Sequence, residues 1–583
     1  MPSTPPVLSD QNRLVFAIAL SLTILLGFHY FYERPQLEAQ RVAQLERAKA
    51  AAAMGQPPAA AFGTQQKNAA ANNNAQTIIT RDAALTSGAR VTIASEKLIG
   101  SINLTGAKLD DLLLTKYGRN GRDDDRVILL APQRTENAYY TQVGWLAGAN
   151  TTGAPDGNTV WTASAPQLSP GQPVTLSWDN GAGLVFEQEW QLDKDYLLTV
   201  TQRVRNAGAN IASLLPYSLS YRTAAFSPKG QTQNVFEGPL GVFDKQLKEL
   251  SADTLLETGQ GSFSSTGGWV GFSDHYWLVA LIPPAESRTA FTFKADSRVA
   301  PTPAFQVDSL GEAQALTPGE TITSVTRIFA GAKEVEVLDQ YRDEQGLHLF
   351  DRAIDFGWFY FLTKPMFYVL HYFYNLFGNF GIAIMMLTLC VRIIMGPLAH
   401  KSFVALNKMK DLQPQMKAMQ ERHKDDKAAL QKAMMELYKK EKVNPVAGCL
   451  PILLQIPVFF SLYKVLLVSI EMRHAPFFGW IVDLAQPDPT SIFNLFGVLP
   501  WDMPSFLMIG VWPILVGVTM WGSQKLNPPP TDPVQKSMFA FMPWIFMYIT
   551  SHMPAGLAVY WAFNNVLSAA QQLMIKRMVD KKA

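Results

Sequence analysis

The residues whose placement is chemically costly lie in the last third of this chain. Residues 378–401, GNFGIAIMMLTLCVRIIMGPLAHK, form an apolar run with one arginine, Arg392, inside it. A helix needs about 20 mostly apolar residues to cross a bilayer. A guanidinium within one costs roughly 3 kcal/mol on insertion scales. Arginine cannot shed its proton, so it needs water, a partner or a lipid head group. Two readings stay open. Pro397 and Lys401 follow within two turns, so Arg392 can snorkel to an interface. Alternatively it faces a wet cavity inside a helix bundle, with Thr388 one turn away.

Other polar groups sit in apolar runs further on: Gln455, then Tyr560, Trp561, Asn564 and Asn565. Any one of them alone reads as interhelical glue, worth about 0.6 kcal/mol. Together with an arginine they read better as a hydrophilic groove. Such a groove holds groups; it does not make or break bonds. Ser461 and Lys464 have S-x-x-K spacing, but the companion motifs of that chemistry are missing. Residues 259–268, GQGSFSSTGG, lack the GK[ST] ending of a phosphate-binding loop. Two cysteines, Cys390 and Cys449, and eight scattered histidines have no metal-ligand spacing. No catalytic site, cofactor or metal is expected.

The elements that must position these groups divide the chain into two unlike halves. Of 583 residues 48% are hydrophobic and 17% charged, with a net charge of +2, which gives no reason to expect a DNA partner. Residues 14–32 are a first apolar run ending in aromatics, read as an uncleaved anchor within 1–33. An Ala/Gln/Asn-rich linker follows at 34–80. From 81 to 345, short β-favouring runs alternate at period 2 between turn signals, which predicts an antiparallel sandwich with its own core. Residues 350–374 are aromatic, with Lys364–Pro365 in the middle; they could span the membrane, but they better suit a helix lying in the interface.

The C-terminal core, 376–577, carries expected spans at 376–397, 449–470, 505–522, 538–552 and 554–574. Residues 398–448 read as a basic helical hairpin turning at HKDDK. Its Met409, Met416, Met419, Met434 and Met435 either pack its two helices together or offer an adaptable apolar surface. Its lysines are a solvated face or meet anionic lipid or ribosomal RNA. Lysine and arginine cluster in the loops that this arrangement leaves cytoplasmic. Both termini are then cytoplasmic and the β domain is exported.

The runs VRIIMGPL, KVNPVAGCLPILLQIPVFFSLY, RHAPFFGWIVDL and FMPWIF…MPAGLAVYWAFNN…QQLMIKR closely resemble the YidC family of the Oxa/Alb insertase superfamily. GGWVGFSDHYW resembles the Gram-negative form. The resemblance implies a multi-pass α-helical protein of the bacterial inner membrane, with six spans and a five-helix insertase core. It implies a large periplasmic all-β domain of β-supersandwich type, without catalytic activity. Arg392 matches the groove arginine, Thr388 its substrate-facing neighbour, and Trp561 a position where relatives often carry a substrate-contacting tyrosine. The implied partners are nascent membrane proteins, the lipid bilayer, a translating ribosome and the Sec translocon (SecYEG, SecDF). The short tail after 577 argues against a strong ribosome contact. A polar-pocket transporter and an envelope scaffold are the competing classes, and the core shows no repeated halves of the kind many transporters have.

Overall fold

The computed structural model describes residues 78–580, apart from 120–124, 150, 224–225, 227–234, 298–301, 358, 424–425, 442–449, 498, 500–503, 505–506 and 527–532. The expected anchor, and the linker up to residue 77, lie outside the described residues. The helices are α1 (Arg81–Leu85), α2 (Ala252–Thr258), α3 (Val335–Glu344), α4 (Tyr360–Phe377), α5 (Phe380–Arg422), α6 (Lys427–Lys440), α7 (Leu450–Val468), α8 (Val511–Leu526), α9 (Pro533–Ser551) and α10 (Ala555–Asp580).

Between α1 and α3 the chain forms two sheets, of eleven and nine strands among the described residues. Pairing is antiparallel, except where Arg90–Ala94 meets Gln167–Leu168. Strand Leu184–Leu192 shows why the sheets face each other. Its side chains alternate between the two faces, so Leu184, Phe186, Gln188, Trp190 and Leu192 point inward. Trp145, Trp190, Phe272, Phe291, Phe293, Phe305 and Phe329 are fully buried in the resulting core.

The sandwich is seated on the helices by polar contacts. The α3 backbone starts on a carboxyl from the loop after α7: Glu471 Oε1 accepts from the Val335 amide at 3.0 Å. His275 bonds the Leu467 carbonyl at 2.6 Å, and Lys464 of α7 pairs with Asp355 at 2.9 Å. Lys364 of α4 is buried between Asp339 of α3 and Asp351. Gly381 lets Phe477 lie directly on α5, because a Cβ there would come within 1.9 Å of its ring.

Several expected boundaries are corrected. The 350–374 segment is a 3-10 turn, Phe350–Ala353, and then α4, with Gly357 at φ 72° between them. The helix that carries the expected span 376–397 continues past Pro397: α5 runs 43 residues, to Arg422. Beyond the proline, Leu412 and Met416 bury against Leu437 of α6, and that packing sustains the helix. Span 505–522 begins later, at Val511, where Thr490 Oγ1 accepts from the Val511 amide and Asp488 from the Trp512 amide. These caps fix the first turn. Among the described residues one helical stretch, Phe380–Met409, is long and apolar enough to cross a membrane, and Leu453–Val468 is a shorter apolar one.

Burial, with the Glu334 and Glu336 carboxylates nearby, pushes the Glu471 carboxyl up from 4.5 to about 7. A carboxyl raised in the fold costs stability as pH rises from 4.5 to about 7, where the unfolded chain ionises and the folded one does not. Glu471→Gln keeps the acceptor for Val335 and removes that cost. It is expected to stabilise by about 3 kcal/mol above this window and not at all below it. Thermal unfolding followed against pH checks this. A pH-independent difference would mean that the carboxyl titrates alike in the folded and unfolded chain.

Candidate functional site

Arg392 and Thr388 lie one turn apart on α5, and Tyr560 and Asn564 one turn apart on α10, so each pair shares a helix face. Arg392 Nε donates to Asn564 Oδ1 at 2.7 Å. Gln455 of α7 donates to the Tyr560 hydroxyl, and Tyr560 and Arg392 are electrostatic neighbours. Asn564 and Tyr560 are buried, and Arg392 is partly so. No carboxylate among the described residues pairs with Arg392, so its charge is met by neutral dipoles. Three helices are therefore joined through these four side chains. Around them the helices turn apolar side chains outward: Ile393 and Ile394 on α5, Leu453, Leu454 and Phe460 on α7, and Val566 on α10. Large apolar side chains exposed on several helices mark contact with a partner or with lipid.

The remaining expected groove residues are placed differently. Thr388 is 1% exposed, and its hydroxyl donates to the Ile384 carbonyl of its own helix at 2.6 Å. A threonine on a helix can always satisfy itself this way, so it offers no donor to the cluster. Trp561 and Asn565 form the next stripe of α10, about 100° round from Tyr560 and Asn564. Trp561 packs between Phe459 and Phe546, each 4.8 Å away between centroids. Asn565 donates to Thr519 of α8 at 3.2 Å. Thr519 was not legible in the sequence, because a lone threonine in an apolar run has no distinguishing neighbour.

In the α5–α6 hairpin, Met416 is buried with Leu412 and Leu437, and Met409, Met419 and Met434 pack against them. Met435 alone of the five faces outward, 57% exposed. Ser461 and Lys464 do not meet as a catalytic pair, since Lys464 is held by Asp355. Among the described residues no group of three or more His, Cys, Asp or Glu is placed to hold a metal.

A two-sheet domain seated on apolar helices that share one half-buried arginine defines a membrane protein with a large extramembrane domain. Residues 90–369 match the YidC periplasmic domain and 372–582 the 60Kd inner membrane protein family. The membrane protein insertase YidC of Methylorubrum extorquens (strain PA1) is 46% identical over 600 residues, covering 98% of this chain and 95% of its own. That of Rickettsia prowazekii (strain Madrid E) is 43% identical, covering 97% and 99%. This chain belongs to the YidC family. A crystal structure of an active YidC insertase with its first transmembrane domain resolved aligns over 83% of this chain and 92% of its own, at 17% identity. Its TM-score is 0.34, too low to bear on the fold.

Asn564→Leu leaves the Arg392 Nε donor unmatched and is expected to cost about 1–3 kcal/mol. Asn564→Asp restores an acceptor and adds a charge, so its stability should equal or exceed that of the native protein. Unfolding temperatures in lipid nanodiscs decide this. If the leucine variant is as stable as the native protein, water already serves the guanidinium.

Proposed function

We propose that this protein inserts nascent inner-membrane proteins into the bilayer and helps them fold, alone or with the Sec translocon. The observation that carries this reading is Arg392, held by neutral groups among apolar helices in a chain of the YidC family. In this reading five helices of 376–577 span the inner membrane, with the anchor as a sixth span. Both termini and the α5–α6 hairpin are cytoplasmic, and the sandwich is periplasmic. The translating ribosome approaches from the hairpin side, where basic residues cluster.

A nascent apolar segment enters the polar cluster from the cytoplasm. Its polar exported end exchanges with Asn564 for the guanidinium of Arg392 and with Gln455 for the Tyr560 hydroxyl. These exchanges are nearly balanced, because one hydrogen bond replaces another. They shorten the apolar distance that the polar end must cross. The segment then leaves sideways over the apolar outer faces, driven by burial worth about 25 cal/mol per Å². No bond is broken and no nucleotide is consumed.

Photocrosslinking from position 455 to a ribosome-bound nascent chain with one apolar segment tests the path, with position 394, which is 78% exposed, as control. Crosslinks at 455, appearing only as the segment emerges, are expected; equal labelling at 394 would remove the groove. Arg392→Ala should fail to support growth of cells depleted of the native protein. Asn564→Asp, stable but with its guanidinium engaged by a charge, should insert clients more slowly. Full growth with Arg392→Ala would make the arginine a snorkelling charge only.

A further inference from the structure

Between α7 and α8 the chain lies across the first turns of three helices. The Gln486 and Leu484 carbonyls accept from the Ala555 and Gly556 amides of α10, at 2.7 and 3.0 Å. Phe477 lies on Gly381 in the first turn of α5. Beside the start of α8, the Ile492 amide donates to the Ile509 carbonyl at 3.2 Å and Ser491 Oγ to that of Leu507 at 2.9 Å. The loop is thus fixed at the level where these helices begin.

Its outward surface is apolar. Phe478, Trp480, Val482, Phe493, Leu495 and Phe496 are each between 43% and 70% exposed. Residues 475–496 contain no lysine, arginine or glutamate, and their two aspartates, Asp483 and Asp488, are buried. Of the polar side chains in that stretch, Gln486 alone is exposed and not buried or half-buried. Charge stands on the sandwich side instead: the Arg473 guanidinium lies 5.8 and 5.4 Å from the Tyr276 and Trp277 rings and donates to the Arg119 carbonyl at 2.9 Å. Leu495 and Phe496 take left-handed backbone, at φ 50° and 59°, which bulky residues avoid. Neither side chain is buried, so packing within the chain does not offset that strain.

The adjoining helix is short. α8 has 16 residues, about 24 Å, against a hydrocarbon thickness of about 30 Å. Apolar side chains beside its first turn make up the difference. We propose that this loop is a lipid anchor, whose exposed aromatic and aliphatic side chains enter the headgroup–acyl boundary of the leaflet on the sandwich side and hold α8 at its depth. The inference rests on the spanning arrangement proposed above. The occupant is phospholipid and not protein, because a protein interface carries a polar rim around its apolar centre, and here Gln486 is all that the surface offers. Aromatic, uncharged side chains suit that boundary, and burial there offsets the strain at Leu495 and Phe496.

The test uses the full chain, one copy to a phospholipid nanodisc. Val482→Cys and Phe493→Cys, each with Cys390→Ser and Cys449→Ser, carry a spin label in turn. Ile394→Cys on α5 is the lipid control, and Val160→Cys, on the sandwich and 65% exposed, is the water control. Labels at 482 and 493 should collide with dissolved oxygen more than with a water-soluble nickel chelate, as at 394, with the ratio reversed at 160. Nickel access at 482 and 493 equal to that at 160, with 394 still in lipid, would overturn the proposal and leave the patch to a protein partner. Nickel access at 394 as well would remove the spanning arrangement, and the anchor with it. Unsubstituted protein guards against disturbance by the label. In nanodiscs doped with a phosphatidylcholine bearing a diazirine near its glycerol, illumination should give lipid adducts within 478–496 on peptide mapping. Adducts on α5 and none in the loop would overturn the proposal equally.

Discussion

A guanidinium that cannot lose its proton, set in an apolar helix, constrains everything packed around it. Arg392 is met by an amide oxygen from α10, not by a carboxylate. A carboxylate would lock the charge in a pair, whereas a neutral amide leaves it able to exchange partners. The α10 helix must therefore present Asn564 at one height and rotation. The Tyr560 bond to Gln455 and the Asn565 bond to Thr519 hold that rotation from two further helices. Each bond is worth well under 2 kcal/mol in a membrane setting. Together they set a register that interchangeable apolar contacts could not.

That register also depends on the ends of the helices, where the sandwich and the loop between α7 and α8 take over. Gln486 and Leu484 carbonyls accept from Ala555 and Gly556, the first amides of α10. Asp488 accepts from the Trp512 amide at the start of α8 and from Trp480 Nε1. Strong ionic contacts lie at this same level, with Lys464 on Asp355 and Lys364 between Asp339 and Asp351. Buried pairs of this kind add little net stability but are costly to break. They make the β domain a fixed seat for the helix ends and not a tethered appendage.

Much of this was legible in the sequence because it is local. Period-2 alternation set the strands, and apolar runs set the helical core. The α5–α6 turn at HKDDK carries its own signal, since Asp426 caps α6 through the Ala429 amide. The family was legible from contiguous motifs, and of the seven groove residues named from sequence, Gln455, Tyr560 and Asn564 gather with Arg392.

What the sequence determined by itself was which residues are polar in an apolar setting and roughly where each element runs. Only the tertiary structure decided which of those residues meet. Thr388 had its own helix carbonyl as an alternative partner and took it. Trp561 fell on a stripe that faces Phe459 and Phe546, because 100° of helix separates it from Tyr560. The start of α8 was set by Asp488, 24 residues before Trp512, and the length of α5 by packing against α6. Periodicity is written along the chain, but the rotation of one helix against another arises only from contacts across it.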